Sequence, residues 1–266
     1  VQTPALPVFV ISLQRSLDRR RVMEQRFGEI GLQFEFSDAV DGAGIDLVEV
    51  SNYDRDACRR RYGYDLSPSE LGCYLSHYGM FQRIVKEHLP AAVIMEDDVE
   101  LNGDVPGVID AISKLSPDWD LIRLCGMRNR KARARIAFYK NYGLARLING
   151  ASGAHAYALS RRGAQKLIAY CSRIVWPIDT AIDRFWDNDM DILAVQPYPV
   201  RGLLDLPSII GVRGKESVTR IPYAVRTRRR VLKLRDSIRK RTYLLRQPPP
   251  LRLLLPEPPA GVQSLD

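Results

Sequence analysis

Ala91-Ala92-Val93-Ile94-Met95-Glu96-Asp97-Asp98-Val99-Glu100 is a short apolar run that ends in three consecutive acids. The five residues before the acids read as a buried strand, too few for a solitary helix and containing β-branched Val93 and Ile94. Carboxylates packed side by side repel, and the repulsion grows where water is excluded. A divalent cation relieves it, and hard oxygen ligands suit magnesium or manganese. The alternative is a solvated acidic turn that merely closes the strand. The surrounding chain decides between them.

Just upstream, Ser67-Pro68-Ser69-Glu70 reads as a helix start. Ser67 caps, Pro68 suits the first helical position, and Glu70 completes a capping box. Leu71, Tyr74, Leu75, Tyr78, Phe81 and Val85 then mark one apolar helical face, and Pro90 stops the helix near Leu89. The acids therefore lie at the C-terminal edge of a strand fed by a helix, where open α/β sheets bind ligands. His77, within this helix, reads first as a packing residue.

Nearer the N-terminus, residues 7–13 read as another buried strand, followed by Arg15, Arg19, Arg20 and Arg21. A helix through Val22, Arg26, Phe27 and Ile30 follows, with Ser16 or Asp18 as cap. Arginines gathered at a helix N-terminus suit an anion, and the plainer alternative is a solvated basic face. Residues 33–37 alternate as a second strand before the polar loop Asp38-Ala39-Val40-Asp41-Gly42. Strand, helix and strand begin an α/β sheet. Residues 43–66 show no clear period and read as loops and short helices.

Downstream, the pattern predicts a helix over 105–115, a strand over 119–125 and a basic loop or edge over 128–135. Asn149-Gly150-Ala151-Ser152-Gly153 allows close backbone approach, and the strand that follows carries His155, a candidate metal ligand. Ser160 caps a helix over 161–170. Asp179 and Asp183 are four apart and share a helical face. Either suits a general base, although an acid at a helix N-terminus is stabilising without chemistry. A late strand covers 191–196, and Ser208-Ile209-Ile210 reads as a turn.

Of 40 Lys+Arg and 31 Asp+Glu, the last 41 residues (226–266) hold 11 and three. The body is therefore near neutral, which disfavours a nucleic-acid-binding domain. Residues 226–246 interleave ten basic residues with Val231, Leu232, Leu234, Ile238, Tyr243, Leu244 and Leu245, a composition suited to an anionic membrane face. The proline-rich residues 247–266 read as extended or disordered. The four cysteines are widely spaced and read as reduced thiols. No leader and no apolar run of about 20 residues is visible, so the expected location is cytoplasmic and peripheral to the membrane.

Four stretches, in order, resemble glycosyltransferase family 25 of the lipopolysaccharide/lipooligosaccharide galactosyltransferase type. They are Val10-Ile11-Ser12-Leu13 with Arg15, Arg19 and Arg20; Asp38-Ala39-Val40-Asp41-Gly42; Leu71-Gly72-Cys73-Tyr74-Leu75-Ser76-His77; and Ile94-Met95-Glu96-Asp97-Asp98-Val99. A weaker fifth runs from Gly153 to Leu159 with Arg162-Gly163-Ala164. The likeness covers roughly residues 7–210. It implies an α/β, GT-A-like single domain over 1–225, with a mixed, mostly parallel sheet flanked by helices and the basic tail outside it. It also implies transfer, with inversion, from a UDP-sugar to a glycan or lipid-linked oligosaccharide, with Mn2+ or Mg2+ as cofactor. Glu96-Asp97-Asp98 then stands as counterpart of the Asp-x-Asp motif, with Asp98 on the metal and Glu96 or Asp97 on ribose or sugar hydroxyls. Ser12, Arg15 and Arg20 would meet the nucleotide, Asp41 its base or ribose, and Asp179 or Asp183 would be the base.

Overall fold

The strand expected before the acids forms: Ala91–Glu96 is β3, with all side chains up to Met95 buried. The computed structural model describes residues 5–61, 64–127, 130–203, 223–246 and 251–255. The turn expected at Ser208-Ile209-Ile210, Arg128 at the head of the basic run, and most of the proline-rich end lie outside these residues. In chain order the elements before β3 are β1 (Val8–Ser12), α1 (Leu17–Glu29), β2 (Glu35–Asp38), α2 (Arg55–Arg61) and α3 (Pro68–Lys86). After it come β4 (Val99–Leu101), α4 (Val105–Ser113), β5 (Leu121–Arg123), β6 (Ala132–Tyr139), β7 (Tyr142–Leu147) and β8 (Ala156–Ser160). The last are α5 (Arg161–Cys171), α6 (Ile178–Asp183), α7 (Phe185–Asn188), β9 (Ile192–Gln196), β10 (Val200–Gly202) and α8 (Tyr223–Leu245).

Eight strands make one sheet in the order β2-β1-β3-β8-β5-β9-β7-β6, and β4 pairs with β10 separately. The expectation of a mostly parallel sheet is corrected. β1–β2, β1–β3 and β5–β9 are parallel, whereas β3–β8, β5–β8, β7–β9 and β6–β7 are antiparallel. The cause is β8, which runs back between β3 and β5, together with the β6–β7 hairpin. Alternation along β1 feeds both faces. Val8 and Val10 meet Met23 and Phe27 of α1 and the apolar side of α4, while Phe9 and Ile11 join the core beneath α3, α5 and α6.

The capping box opens α3 as expected: Ser67 Oγ accepts from Glu70 N, and Glu70 accepts from Ser67 N. Ser160 likewise caps α5 through Gly163 N. Ser16 occupies the N-cap position of α1 without a side-chain bond. The Asp38–Gly42 loop lies directly on the first turns of α3. A Cβ on Gly42 would sit 2.5 Å from Pro68 O, and one on Gly72 2.6 Å from Val40 O. The two glycines thus let loop and helix close the cleft described below.

The C-terminal part is less extended than its composition suggests. α8 docks on the body through Asp236, which accepts from both terminal nitrogens of Arg184 at 2.8 Å. Residues Leu251–Leu254 form a 3-10 turn, not an extended segment, and Leu251 and Leu254 are buried in the core beside α4. Leucines near the proline-rich stretch cover apolar surface that the sheet leaves open.

Candidate active site

The C-terminal ends of β1 and β3, the Asp38–Gly42 loop and the start of α3 enclose a cleft of about 120 Å³. Ser12, Arg19, His77, Glu96, Asp97 and Asp98 are among its walls. It shares Leu13, Ala39 and Asp41 with a shallower recess of about 530 Å³ beside Arg15. Organic ligands commonly occupy roughly 300–1,000 Å³, so the two recesses together suit a molecule with a small buried end and a larger exposed one.

The three acids have three environments. Asp97 is committed to the scaffold: its Oδ2 accepts from Ser12 Oγ at 2.7 Å and its Oδ1 from Arg19 at 2.9 Å. Asp97, expected on donor hydroxyls, thus has one partner on each oxygen. Glu96 Oε1 accepts from the fully buried His77 Nε2 at 3.1 Å, and His77 Nδ1 lies 2.7 Å from Tyr157 Oη. An ionised Glu96 only accepts, so His77 carries its proton on Nε2 and takes the Tyr157 hydroxyl at Nδ1. Despite burial, His77, His155 and Cys73 hold the Glu96 carboxyl down at about 2.

Asp98 is the opposite case. Burial and the neighbouring Glu96 charge push it up to about 6. Its Oδ1 is buried without a hydrogen-bond partner among the described residues, as is His155 Nδ1. Ligand atoms of Glu96, Asp98 and His155 all lie within 4.8 Å of one another. The orphaned Asp98 oxygen, the Glu96 carboxylate and His155 Nε2, 3.8 Å from Glu96 Oε2, are what a divalent cation would satisfy, and an oxygen–nitrogen donor set suits manganese or magnesium. β8 brings His155 here: its antiparallel pairing lets Glu96 N donate to His155 O at 2.8 Å.

Other expected residues fall nearby with different partners. Arg15 and Asp41 form a double hydrogen bond at the rim, which holds the Asp41 carboxyl down at about 2. Arg20 turns away from the cleft to pair with Asp38, donate to Ser12 O and lie over Phe36. Arg20, expected to meet the nucleotide, thus bonds the ends of β1 and β2 through its Nη2, while its buried Nε has no hydrogen-bond partner among the described residues. On α6, Asp179 Oδ1 accepts from Thr180 N, and burial, then the Glu96 and Asp179 charges, push up the thiol of Cys73 in the cleft wall. Asp183 has other partners. Its Oδ1 accepts from Arg123 at 2.5 Å and its Oδ2 from Ser152 N at 2.8 Å. Asp183, expected as a candidate base, is thus held by Arg123 and by the backbone of Ser152.

Arg123 is the residue that sequence reasoning missed. It is fully buried at the end of β5 and also donates to Gly153 O at 2.7 Å. Ser152 and Gly153 both have positive φ, 62° and 77°. The Arg123–Asp183 pair thus pins a left-handed loop two residues before His155. A charge inside the apolar run Leu121-Ile122-Arg123-Leu124-Cys125 was the available signal. His77 gave a weaker one, four residues after Cys73 on the helical face toward the acids.

The model of glycosyltransferase family 25 (LPS biosynthesis protein) matches residues 5–182, which include the whole cleft. The chain belongs to glycosyltransferase family 25. Among relatives of this family-25 chain, the inactive glycosyltransferase 25 family member 3 of Homo sapiens is 31% identical over 215 residues, covering 71% of this chain and 35% of that protein. Procollagen galactosyltransferase 1 of Danio rerio is 28% identical over 172 residues, covering 60% of this chain and 28% of that protein. The chain spans about a third of the length of the curated relatives it matches.

Proposed function

We propose that this family-25 protein is an inverting, metal-dependent galactosyltransferase of GT-A type. It would move galactose from UDP-galactose onto a lipopolysaccharide, lipooligosaccharide or other glycan. The observation that supports this most is the meeting of Glu96 and Asp98, in the cleft wall, with His155, the Asp98 carboxyl keeping a buried oxygen without a partner among the described residues. Bound manganese or magnesium would supply positive charge for the diphosphate leaving group. Asp98, His155 and the Glu96 oxygen not bonded to His77 would hold it. Ser12 and Arg19 keep Asp97 fixed beneath the phosphates, and Arg15 with Asp41 forms the wall for ribose and base. Asp179 takes the proton from the acceptor hydroxyl, and the attack inverts the sugar carbon. A lipid-linked acceptor would put the enzyme at the cytoplasmic face of a membrane.

A second reading is a non-catalytic nucleotide-sugar-binding protein, favoured by the inactive label of the human and mouse relatives. One experiment separates the two. The purified chain is given manganese and one UDP-sugar at a time, with transfer to a glycan acceptor followed by mass spectrometry. UDP-galactose should be turned over, EDTA should lower the rate by at least about a hundredfold, and added manganese should restore it. Binding of UDP-galactose without transfer would support the non-catalytic protein. Turnover of UDP-glucose alone would make it a glucosyltransferase.

A further inference from the structure

We infer that the outward face of α8 is a docking surface for an anionic lipid bilayer. Val231, Leu234, Ile238 and Leu245 follow one another at steps of three, four and seven residues, so they form one stripe along the helix. All four are strongly exposed, at 56–81%. The opposite face is already occupied by the body. Asp236 is held by Arg184, Arg239 pairs with Asp187, and Tyr243 donates to Met190 O at 2.9 Å while packing on Phe185. The apolar stripe therefore points away from the protein because ion pairs and an aromatic anchor fix the helix's rotation.

Charge names the occupant. At 100° per residue, exposed Arg230 and Arg241 border one side of the stripe, and exposed Arg235 borders the other. A second copy laid on this face would bring arginine rows against arginine rows, which repel. Lipid phosphates meet the same rows with opposite charge while acyl chains receive the leucines and isoleucine. No helix among the described residues is long and apolar enough to cross a membrane, so the contact is with the bilayer surface. The sequence supplied a basic, apolar tail; the docked face settles which side of the helix is left to meet lipid. The inference rests on the proposed function only in making that surface the one that carries a lipid-linked acceptor.

The test uses the full chain and vesicles of phosphatidylcholine, with or without phosphatidylglycerol. Wild type should sediment with the phosphatidylglycerol vesicles, stay in the supernatant with phosphatidylcholine alone, and lose binding as salt rises. Leu234→Ser with Ile238→Ser, and separately Arg235→Gln with Arg241→Gln, should each weaken binding at least about tenfold. Both pairs are exposed, and unchanged melting temperatures check that the variants fold. Wild type left in the supernatant, or serine variants that bind like wild type, would overturn the inference. So would a lipid-free dimer that the serines split into monomers. No sugar donor enters this assay, so absent galactosyl transfer would remove the proposed activity and leave the vesicle result standing.

Discussion

Asp98→Asn should lower galactosyl transfer by at least about a hundredfold in kcat, some 3 kcal/mol or more of transition-state stabilisation. The amide keeps the shape of the side chain but loses the charge and much of the affinity for a hard cation. Metal-free stability should move the other way. Burial and Glu96 raise the Asp98 carboxyl from 3.8 to about 6, so the fold disfavours its charged form. The contribution of Asp98 to stability is fully present below its ordinary value and lost as pH rises through about 6. Metal-free wild type should therefore gain stability between pH 7 and pH 5, a gain the neutral asparagine lacks. Denaturant melts at the two pH values and kcat from progress curves check both halves. An Asp98→Asn enzyme with wild-type kcat would remove Asp98 from the machinery. An inactive variant that is also grossly unstable would make Asp98 a structural acid.

Breaking the Arg123–Asp183 pair should produce the largest loss of stability. Removing one partner of a buried ion pair strands the other, at a typical cost of about 3–5 kcal/mol. Asp183→Asn leaves the fully buried Arg123 guanidinium with Gly153 O and no carboxylate. It also weakens the bond that holds Ser152 N, so the left-handed turn before His155 loosens. Arg123→Met alone strands the Asp183 carboxylate. The double variant Arg123→Met with Asp183→Asn should lose less than the two single losses added together, because neither charge is then left alone. Urea unfolding of all four proteins gives the coupling directly. A general base would behave differently: Asp183→Asn would keep wild-type stability and lose only kcat. The corresponding kinetic loss without destabilisation is expected at Asp179.

The sequence carried the local devices well. The capping box at Ser67, the cap at Ser160 and the buried strand before Glu96 depend on near neighbours, so spacing alone reveals them. It also brought Asp98 and His155 forward separately, but their meeting depends on β8 lying antiparallel beside β3, which no local pattern encodes. The same gap explains the sheet: strand direction is set by connections, and the reversal of β8 helps give the expected mixed sheet more antiparallel than parallel pairs. Asp97, Arg20 and Asp183 look as reactive as their neighbours on paper. Only the fold shows that their partners are Ser12 with Arg19, Asp38 and Arg123. Leu251 and Leu254 were hidden by the prolines around them, which speak for an extended chain whatever surface waits to be covered.

Manganese binding read by electron paramagnetic resonance tests the central claim most directly, because it needs no acceptor and no turnover. Free Mn2+ gives a six-line signal that fades as the ion is bound. Wild type titrated at pH 7 should bind one manganese ion per chain, more tightly when UDP is present. Asp98→Asn and His155→Ala should each weaken that site at least about tenfold, and Asp97→Asn, whose oxygens face Ser12 and Arg19, should weaken it less. Binding unchanged by Asp98→Asn and His155→Ala, or no binding by wild type with UDP present, would contradict a metal centre at the end of β3.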